Sequence, residues 1–324
     1  MVKNSRITLY FSSMLLQNPF VKKIWVNIRE QIIFRKHESV ARYWRTAIRN
    51  YKEEKTEKYN AFPKTGFDDQ KIIWQYWGQG LNDDTLPEVV KICFASIDRF
   101  KRDYRVIRLT DDTLKDYIDF PQFVWEKRNN PEFKTVFFSD LLRVALLQNY
   151  GGIWLDATVL LSDEIPYRFR TKPFFAFQRS KVADNKATWK SFHPYYWSWD
   201  SRFKVNMLNS IIIGSKGEPI TLALLHLLLH YWKTQDKILN YFFFQILYHE
   251  LMRDHLKSHK FEAVDDTLPH LLQSKIFKHQ EQLDYLEIFA LQSIHKLTYF
   301  SGNELKELVQ ATRHLDLQQS GNPI

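Results

Sequence analysis

FFSDLLRVALLQNYGGIWLDATVLL, residues 137–161, carries the reading of the fold. Leu141, Leu142, Ala145 and Leu146 recur at helical spacing. Ser139 is a suitable N-cap, Asp140 suits a helix N-terminus and Gly151 suits the C′ position. After Gly151 and Gly152 the helical period ends, and Ile153, Trp154 and Leu155 form a short apolar run that stops at Asp156. A helix feeding a buried strand through two glycines is half of an α/β unit. The carboxyl end of such a strand is where open α/β sheets bind ligands. A carboxylate there can hold a divalent cation through hard oxygen contacts, or it can be an acid exposed in a turn. Asp140 and Arg143, three residues apart, share one helix face. They form either an ordinary i,i+3 ion pair or a pair that grips a ligand's hydroxyls and negative charge.

Outward from this block the α/β pattern continues. KIIWQYW (71–77) and YRVIRLT (104–110) read as strands, and PEVVKICFASIDRF (87–100) as a helix with Pro87 at its start. DDTLKDYI (111–118) reads as the beginning of another helix, and FFAFQ (174–178) and SIIIG (210–214) as further strands. The order predicts a Rossmann-like, mainly parallel sheet flanked by helices. KTEKYNAFPKTGFDD (55–69) reads as a linker, which divides the chain into a basic helical extension, 1–65, and a main domain, 66–324.

Composition limits the function classes. The 324 residues are 44% hydrophobic and 16% aromatic, enough for a full core. The lone Cys93 excludes an intrachain disulfide and a cysteine metal cluster, fits a reducing compartment and reads as a core residue. Residues 1–60 hold 13 of the 46 Lys/Arg and 5 of the 37 Asp/Glu, so nearly all of the +9 net charge belongs to them. Their mixture of Ile, Val, Phe and Trp with Lys and Arg fits either an amphipathic helix on an anionic membrane or an extension packed on the main domain. No nucleic-acid motif accompanies the charge, and no nucleic acid is expected. No run reaches the roughly 18 apolar residues of a membrane span, and the start lacks a secretory signal pattern. The expected location is cytoplasmic, peripheral on the inner membrane surface where the extension binds lipid. HELMRDH (249–255) is no zinc-protease helix, because His249 and His255 are six residues apart and position 253 is Arg.

The block 138–160 resembles the hallmark region of DxD-type nucleotide-sugar transferases, closest to the bacterial capsular polysaccharide synthesis proteins. The layout S-D-x-x-R followed by Y-G-G-I-x-x-D is similar to Och-type mannosyltransferases and clostridial glucosylating toxins. Weaker likeness runs from IIWQYWGQG (72–80) through NMLNSIIIGSKGEP (206–219) to SIHKLTY (293–299). The resemblance implies a GT-A fold and transfer, with retention, from a nucleoside-diphosphate sugar to a glycan or lipid-linked acceptor in surface polysaccharide synthesis. A non-catalytic sugar-binding or scaffold protein on the same fold is the alternative. It places Trp74, Gln75 and Tyr76 beside the nucleotide base, and Asp140 and Arg143 on the donor sugar. Asp156 becomes the first acid of the motif, near the metal and ribose, while Thr158 stands where the second acid would be. A divalent Mn²⁺ or Mg²⁺ is implied, with His295 completing its shell and Lys296 facing the diphosphate, although the hydroxyl of Thr158 is a weaker ligand than an acid. Asn209 is a candidate for sugar hydroxyls, or else a strand residue. The aromatic segment TWKSFHPYYWSWDSRF (188–203) is an acceptor platform or a loop packed on the core.

Overall fold

The computed structural model describes residues 19–259, 263–279 and 282–319. Within them, α1 (Pro19–Lys52) is followed by β1 (Phe62–Pro63), β2 (Ile72–Tyr76), α2 (Glu88–Phe100), β3 (Arg105–Leu109), β4 (Ile118–Asp119), α3 (Gln122–Arg128) and α4 (Thr135–Tyr150). The middle of the chain gives β5 (Gly152–Leu155), β6 (Val159–Leu161), α5 (Tyr167–Arg170), β7 (Phe174–Gln178), α6 (Lys186–Phe192) and β8 (Met207–Gly214). Helices α7 (Pro219–Thr234), α8 (Phe243–Arg253), α9 (Leu271–Ile276) and α10 (Tyr285–Leu291), then β9 (Ile294–Lys296) and α11 (Gly302–Gln319), complete it.

The main sheet has the order β3-β2-β5-β8-β7. β2 is parallel to β3 and β5, whereas β8 is antiparallel to both β5 and β7. Four strands therefore run one way, as expected, and β8 alone runs against them, which makes the sheet mixed. Side-chain alternation supplies a core on each face. Ile72, Trp74, Trp154 and Ile212 pack with α4, α7 and α8. Ile73, Ile153, Leu155, Ile211 and Ile213 pack with Ile97 and Phe100 of α2. Gly152, at φ +104°, is required where β5 meets β2, because a Cβ there would lie 2.4 Å from the Ile72 carbonyl oxygen.

The reversed strand has a topological consequence. β7 ends at the edge of the sheet where β8 begins, so residues 179–206 must stay at that edge. It is also the edge reached by the carboxyl ends of β2, β3 and β5. Asp156 lies there, its N–H donating to the Ser210 carbonyl at 2.9 Å.

Two expectations change, and a third that was left open is narrowed. α4 begins at Thr135, so Ser139 lies inside the helix and is not its N-cap. Residues 111–118 hold only a 3₁₀ turn, Leu114–Asp116, because the Thr110 and Thr113 side chains bond the local backbone. Ile118 then enters β4, pairing with β1 inside the segment read as a linker. The third concerns the basic extension, whose first 18 residues lie outside the described ones. From Ile33 to Ile48, α1 shares one core with α7 and α8, so no break in packing marks residue 65. Trp44 is fully buried and donates its indole N–H to the Phe243 carbonyl at 2.9 Å.

Trp44→Ala is expected to cost about 3–5 kcal/mol through the cavity it leaves. Trp25→Ala, on the exposed part of the same helix, should change stability by no more than about 0.5 kcal/mol. Urea unfolding of the two variants checks this, and equal effects would mean that α1 is not anchored as described.

Candidate active site

The helix α4 and the strand β5 deliver the three charged residues of the block to one place. Arg143 is buried and lies between the two acids. Its Nη1 is 3.1 Å from Asp140 Oδ1 and its Nη2 is 3.4 Å from Asp156 Oδ1. The remaining donors go to Ser139 and to β8: Nε to the Ser139 carbonyl at 3.2 Å, Nη2 to Ser139 Oγ at 3.1 Å, and Nη1 to the Asn209 carbonyl at 2.7 Å. Asn209 also donates Nδ2 to Asp140 Oδ1 at 2.8 Å. Trp154 donates its indole N–H to Asp156 Oδ1 at 2.8 Å. The sequence thus names a real constellation: Asp140, Arg143, Asp156 and Asn209 converge as one network.

They line a cavity of about 290 Å³ with Lys296, Tyr196, Trp197, Tyr241, Gln245 and His270 among its other walls. That is near the small end of ligand sites, roughly 300–1,000 Å³. The roof comes from residues 179–206. Arg179 fixes it: the guanidinium meets the buried Asp266 carboxylate through Nε at 2.8 Å and Nη2 at 3.0 Å. It also donates to the carbonyls of Ser198 and Tyr196, both at 3.0 Å, and lies 4.3 Å from the Trp197 ring centre. Part of the aromatic segment therefore lines the cavity and part packs on the core.

Other expected residues lie elsewhere. Trp74 is sealed in the core, its indole N–H on the Gly151 carbonyl at 3.0 Å. Gln75 is buried and accepts from Arg108 Nε at 3.0 Å. Tyr76 donates to Asp111, which also takes Arg128 Nη2 at 2.8 Å. None of the three lines the cavity, so none faces a base bound there. His295 is also displaced. Neighbouring residues of β9 point to opposite sides, and while Lys296 enters the cavity, His295 turns into the interior against Ser162, Nε2 to Oγ 2.9 Å. Burial lowers its pKa to about 3. Thr158 is nearly buried and accepts from the Lys296 ammonium.

The donor set decides whether a divalent ion fits. Asp140 Oδ1 is engaged by Asn209 and Arg143, Thr158 by Lys296, and His295 faces away. Asp156 and the second oxygen of Asp140 remain, and the cations Arg143 and Lys296 already lie 3.4 Å and 4.0 Å from Asp156. Among the described residues no three His, Cys, Asp or Glu side chains come together as a metal cage. The residues present do not fit a protein-held ion of the expected kind.

Gln245, His270 and Tyr241 carry no motif and were not foreseen. One signal for Gln245 was in the sequence: a polar residue interrupting the apolar run FFFQILY. It is buried, and its Oε1 has no partner among the described residues. An unmet acceptor beside a cavity is suited to a ligand hydroxyl.

The two acids titrate in opposite directions. Burial raises the Asp140 pKa to about 6, against the pull of Arg143 and Asn209. Burial also opposes ionisation of Asp156, but Arg143, Lys296 and the Trp154 and Ser210 hydrogen bonds outweigh it and the pKa is lowered. For Asp140 the folded protein holds the proton more tightly than the unfolded chain. Its contribution to stability is therefore present at low pH and is lost as pH rises from about 4 to about 6. Asp140→Asn should lack this decline. The melting temperature of the wild type should fall relative to the variant across that window, and a constant difference would refute the assignment.

Over 111 residues, 33% of this chain, it is 30% identical to the human alpha-1,4-N-acetylglucosaminyltransferase, and the match covers 31% of that protein. The chain thus spans about a third of the length of that relative. Among solved structures it aligns with the PaToxG Glycosyltransferase at 14% identity and a TM-score of 0.34, covering 89% of this chain and 97% of that one. The family model described as capsular polysaccharide synthesis protein matches residues 21–314, nearly the full length, and the chain belongs to that family.

Proposed function

We propose that this protein is a glycosyltransferase that moves a sugar from a nucleoside-diphosphate donor to a hydroxyl of a glycan or lipid-linked acceptor in surface polysaccharide synthesis. The observation that carries this reading is the convergence of Asp140, Arg143, Asp156 and Lys296 on one cavity at the carboxyl edge of the sheet. Family membership and the partial likeness to an N-acetylglucosaminyltransferase support it.

Each group has a part. Arg143 is a positioning residue, since its donors are taken up by the protein. Asp140 and Gln245 accept from sugar hydroxyls, and the Tyr196 and Tyr241 rings stack on the apolar faces of sugars. Lys296 faces the diphosphate, and Asp156 holds Lys296 and Arg143 in place electrostatically. The acceptor oxygen forms the new bond to the anomeric carbon as the bond from that carbon to the phosphate oxygen breaks. The electron pair stays on the phosphate, which takes the proton of the acceptor hydroxyl. Reaction on one face of the sugar gives retention, an assignment that rests on the family resemblance.

A panel of nucleoside-diphosphate sugars tests the reading by release of nucleoside diphosphate. Asp156→Asn is expected to lose at least about 100-fold in turnover. Turnover near that of the wild type would remove Asp156 from the site. Donor binding without turnover across donors and acceptors would favour the scaffold alternative.

We also propose an anionic bilayer surface as the partner of α1. Ile24, Trp25, Ile28 and Ile32 are exposed, Trp25 by 58%, and at 100° per residue they form one stripe. The same outward stripe continues as Arg35, Arg42 and Arg49, all exposed. Apolar insertion followed by cations at headgroup level is the pattern of an interfacial helix. No helix among the described residues is long and apolar enough to cross a membrane. Trp25→Asp with Ile28→Asp should abolish co-sedimentation with phosphatidylserine vesicles while leaving melting unchanged. Undiminished sedimentation of that variant would exclude this face.

A further inference from the structure

The departure of Thr158 from the acid expected there and the position of Lys296 form a single feature. β6 and β9 pair antiparallel with Val159 opposite Lys296, and the Leu297 N–H donates to the Thr158 carbonyl at 2.9 Å. This short ladder fixes the two side chains against each other. The Lys296 ammonium donates to Thr158 Oγ1 and, at 3.0 Å, to the Leu297 carbonyl. Both oxygens are neutral. An ammonium has three donors, and the third is left on the cavity side, where the nearest anion is Asp156 Oδ2 at 4.0 Å.

Charge bookkeeping explains the hydroxyl. Asp140 and Asp156 face Arg143 and Lys296, two acids against two cations. An acid at position 158 would meet the ammonium directly and neutralise it. A threonine supplies the same hydrogen-bond acceptor without charge. It holds the lysine in place and leaves its positive charge free to act on a third party. A compact, tetrahedral point charge of this kind is a suitable partner for a phosphate oxygen.

We propose that Lys296, held by Thr158, is the cation that receives the donor's diphosphate, in the place where a motif of two acids would hold a divalent ion, and that diphosphate binding needs no divalent ion. The inference rests on the transferase reading above. When the bond between the anomeric carbon and the phosphate oxygen breaks, the electron pair left on the phosphate lies against this ammonium, and the proton that phosphate gains comes from the acceptor hydroxyl. Lys296 keeps all of its protons throughout.

The experiment is calorimetric titration of the full chain with inorganic pyrophosphate, UDP and GDP, in EDTA and in Mn²⁺. At least one of the three should bind in EDTA, with the same affinity in Mn²⁺. Lys296→Met should weaken that affinity at least about tenfold, with Lys296→Arg intermediate. Thr158→Asp should also weaken binding in EDTA, because the new acid neutralises the ammonium. Melting curves of all three variants report whether each is folded, and Lys296→Arg covers the case in which Lys296→Met is not. Wild-type binding seen only with Mn²⁺ would overturn the proposal and leave the transferase reading intact. So would Thr158→Asp binding as tightly as the wild type in EDTA. No binding of any of the three in either medium would instead remove the nucleoside-diphosphate donor, and this inference with it.

Discussion

A guanidinium taken out of water must have its donors filled and its charge balanced, or the fold carries a large penalty. Arg143 meets both demands with groups from three elements. α4 supplies Ser139 and Asp140, β5 leads to Asp156, and β8 supplies the Asn209 carbonyl. Removing one partner of such a buried pair typically costs about 3–5 kcal/mol, so the elements are held in one arrangement by the residue that joins them. The geometry of the cavity follows from this. Asp140 and Asp156 are kept close but apart by the cation between them, and Asn209 is oriented by its own bond to Asp140.

The reversed strand supplies the other half of the site. Because β8 runs against β7, the connection between them cannot cross the sheet and must cover the edge that carries the acids. A second buried guanidinium, Arg179, then pins this cover to Asp266 and to the carbonyls of Tyr196 and Ser198. The site is thus enclosed between two arginines, one under the acids and one in the roof. His270 joins the roof, its Nδ1 on the Asp266 carbonyl at 2.9 Å, and burial keeps its pKa near 3. A neutral imidazole there adds no further cation beside Lys296.

The readable parts of the site were those set by short-range periodicity. Asp140 and Arg143 meet because they are one helical turn apart, and Asp156 reaches them because Gly151 and Gly152 turn the chain directly into β5. What depended on which way a strand faces was not readable. His295 was placed by resemblance, but in the alternation of β9 it turns away from the cavity while Lys296 enters it. Trp74 is on the α4 side of the sheet but is enclosed by the core. The walls supplied by Tyr241, Gln245 and His270 come from helices and loops over 80 residues downstream of Asp156, and no local period announces where these fold back. The helix expected at 111–118 failed for a related reason. Acidic residues at its start favour a helix, but the Thr110 and Thr113 hydroxyls give the backbone nearer partners, and Ile118 is claimed by β1.

One arginine serving two acids explains why they differ. Both are drawn toward ionisation by Arg143 and away from it by burial. Asp140 has besides only the amide of Asn209 to set against burial, and the charge on Asp156 pushes it further up. Asp156 has Lys296, the Trp154 indole and Ser210 as well, and its side chain keeps 25% of its surface open to the cavity. The outcome is one fixed anion, held against the two cations beside it, and one acid whose pKa is raised to about 6. These are separate tasks: the fixed anion keeps the lysine charged and in position, whereas an acid poised near 6 can accept a hydrogen bond as a carboxylate without a permanent cost to the buried network. A second carboxylate at position 158 would erase the distinction by competing for the same ammonium. The neutral threonine is therefore part of the electrostatic design of the site, in which protein cations and carboxylates balance.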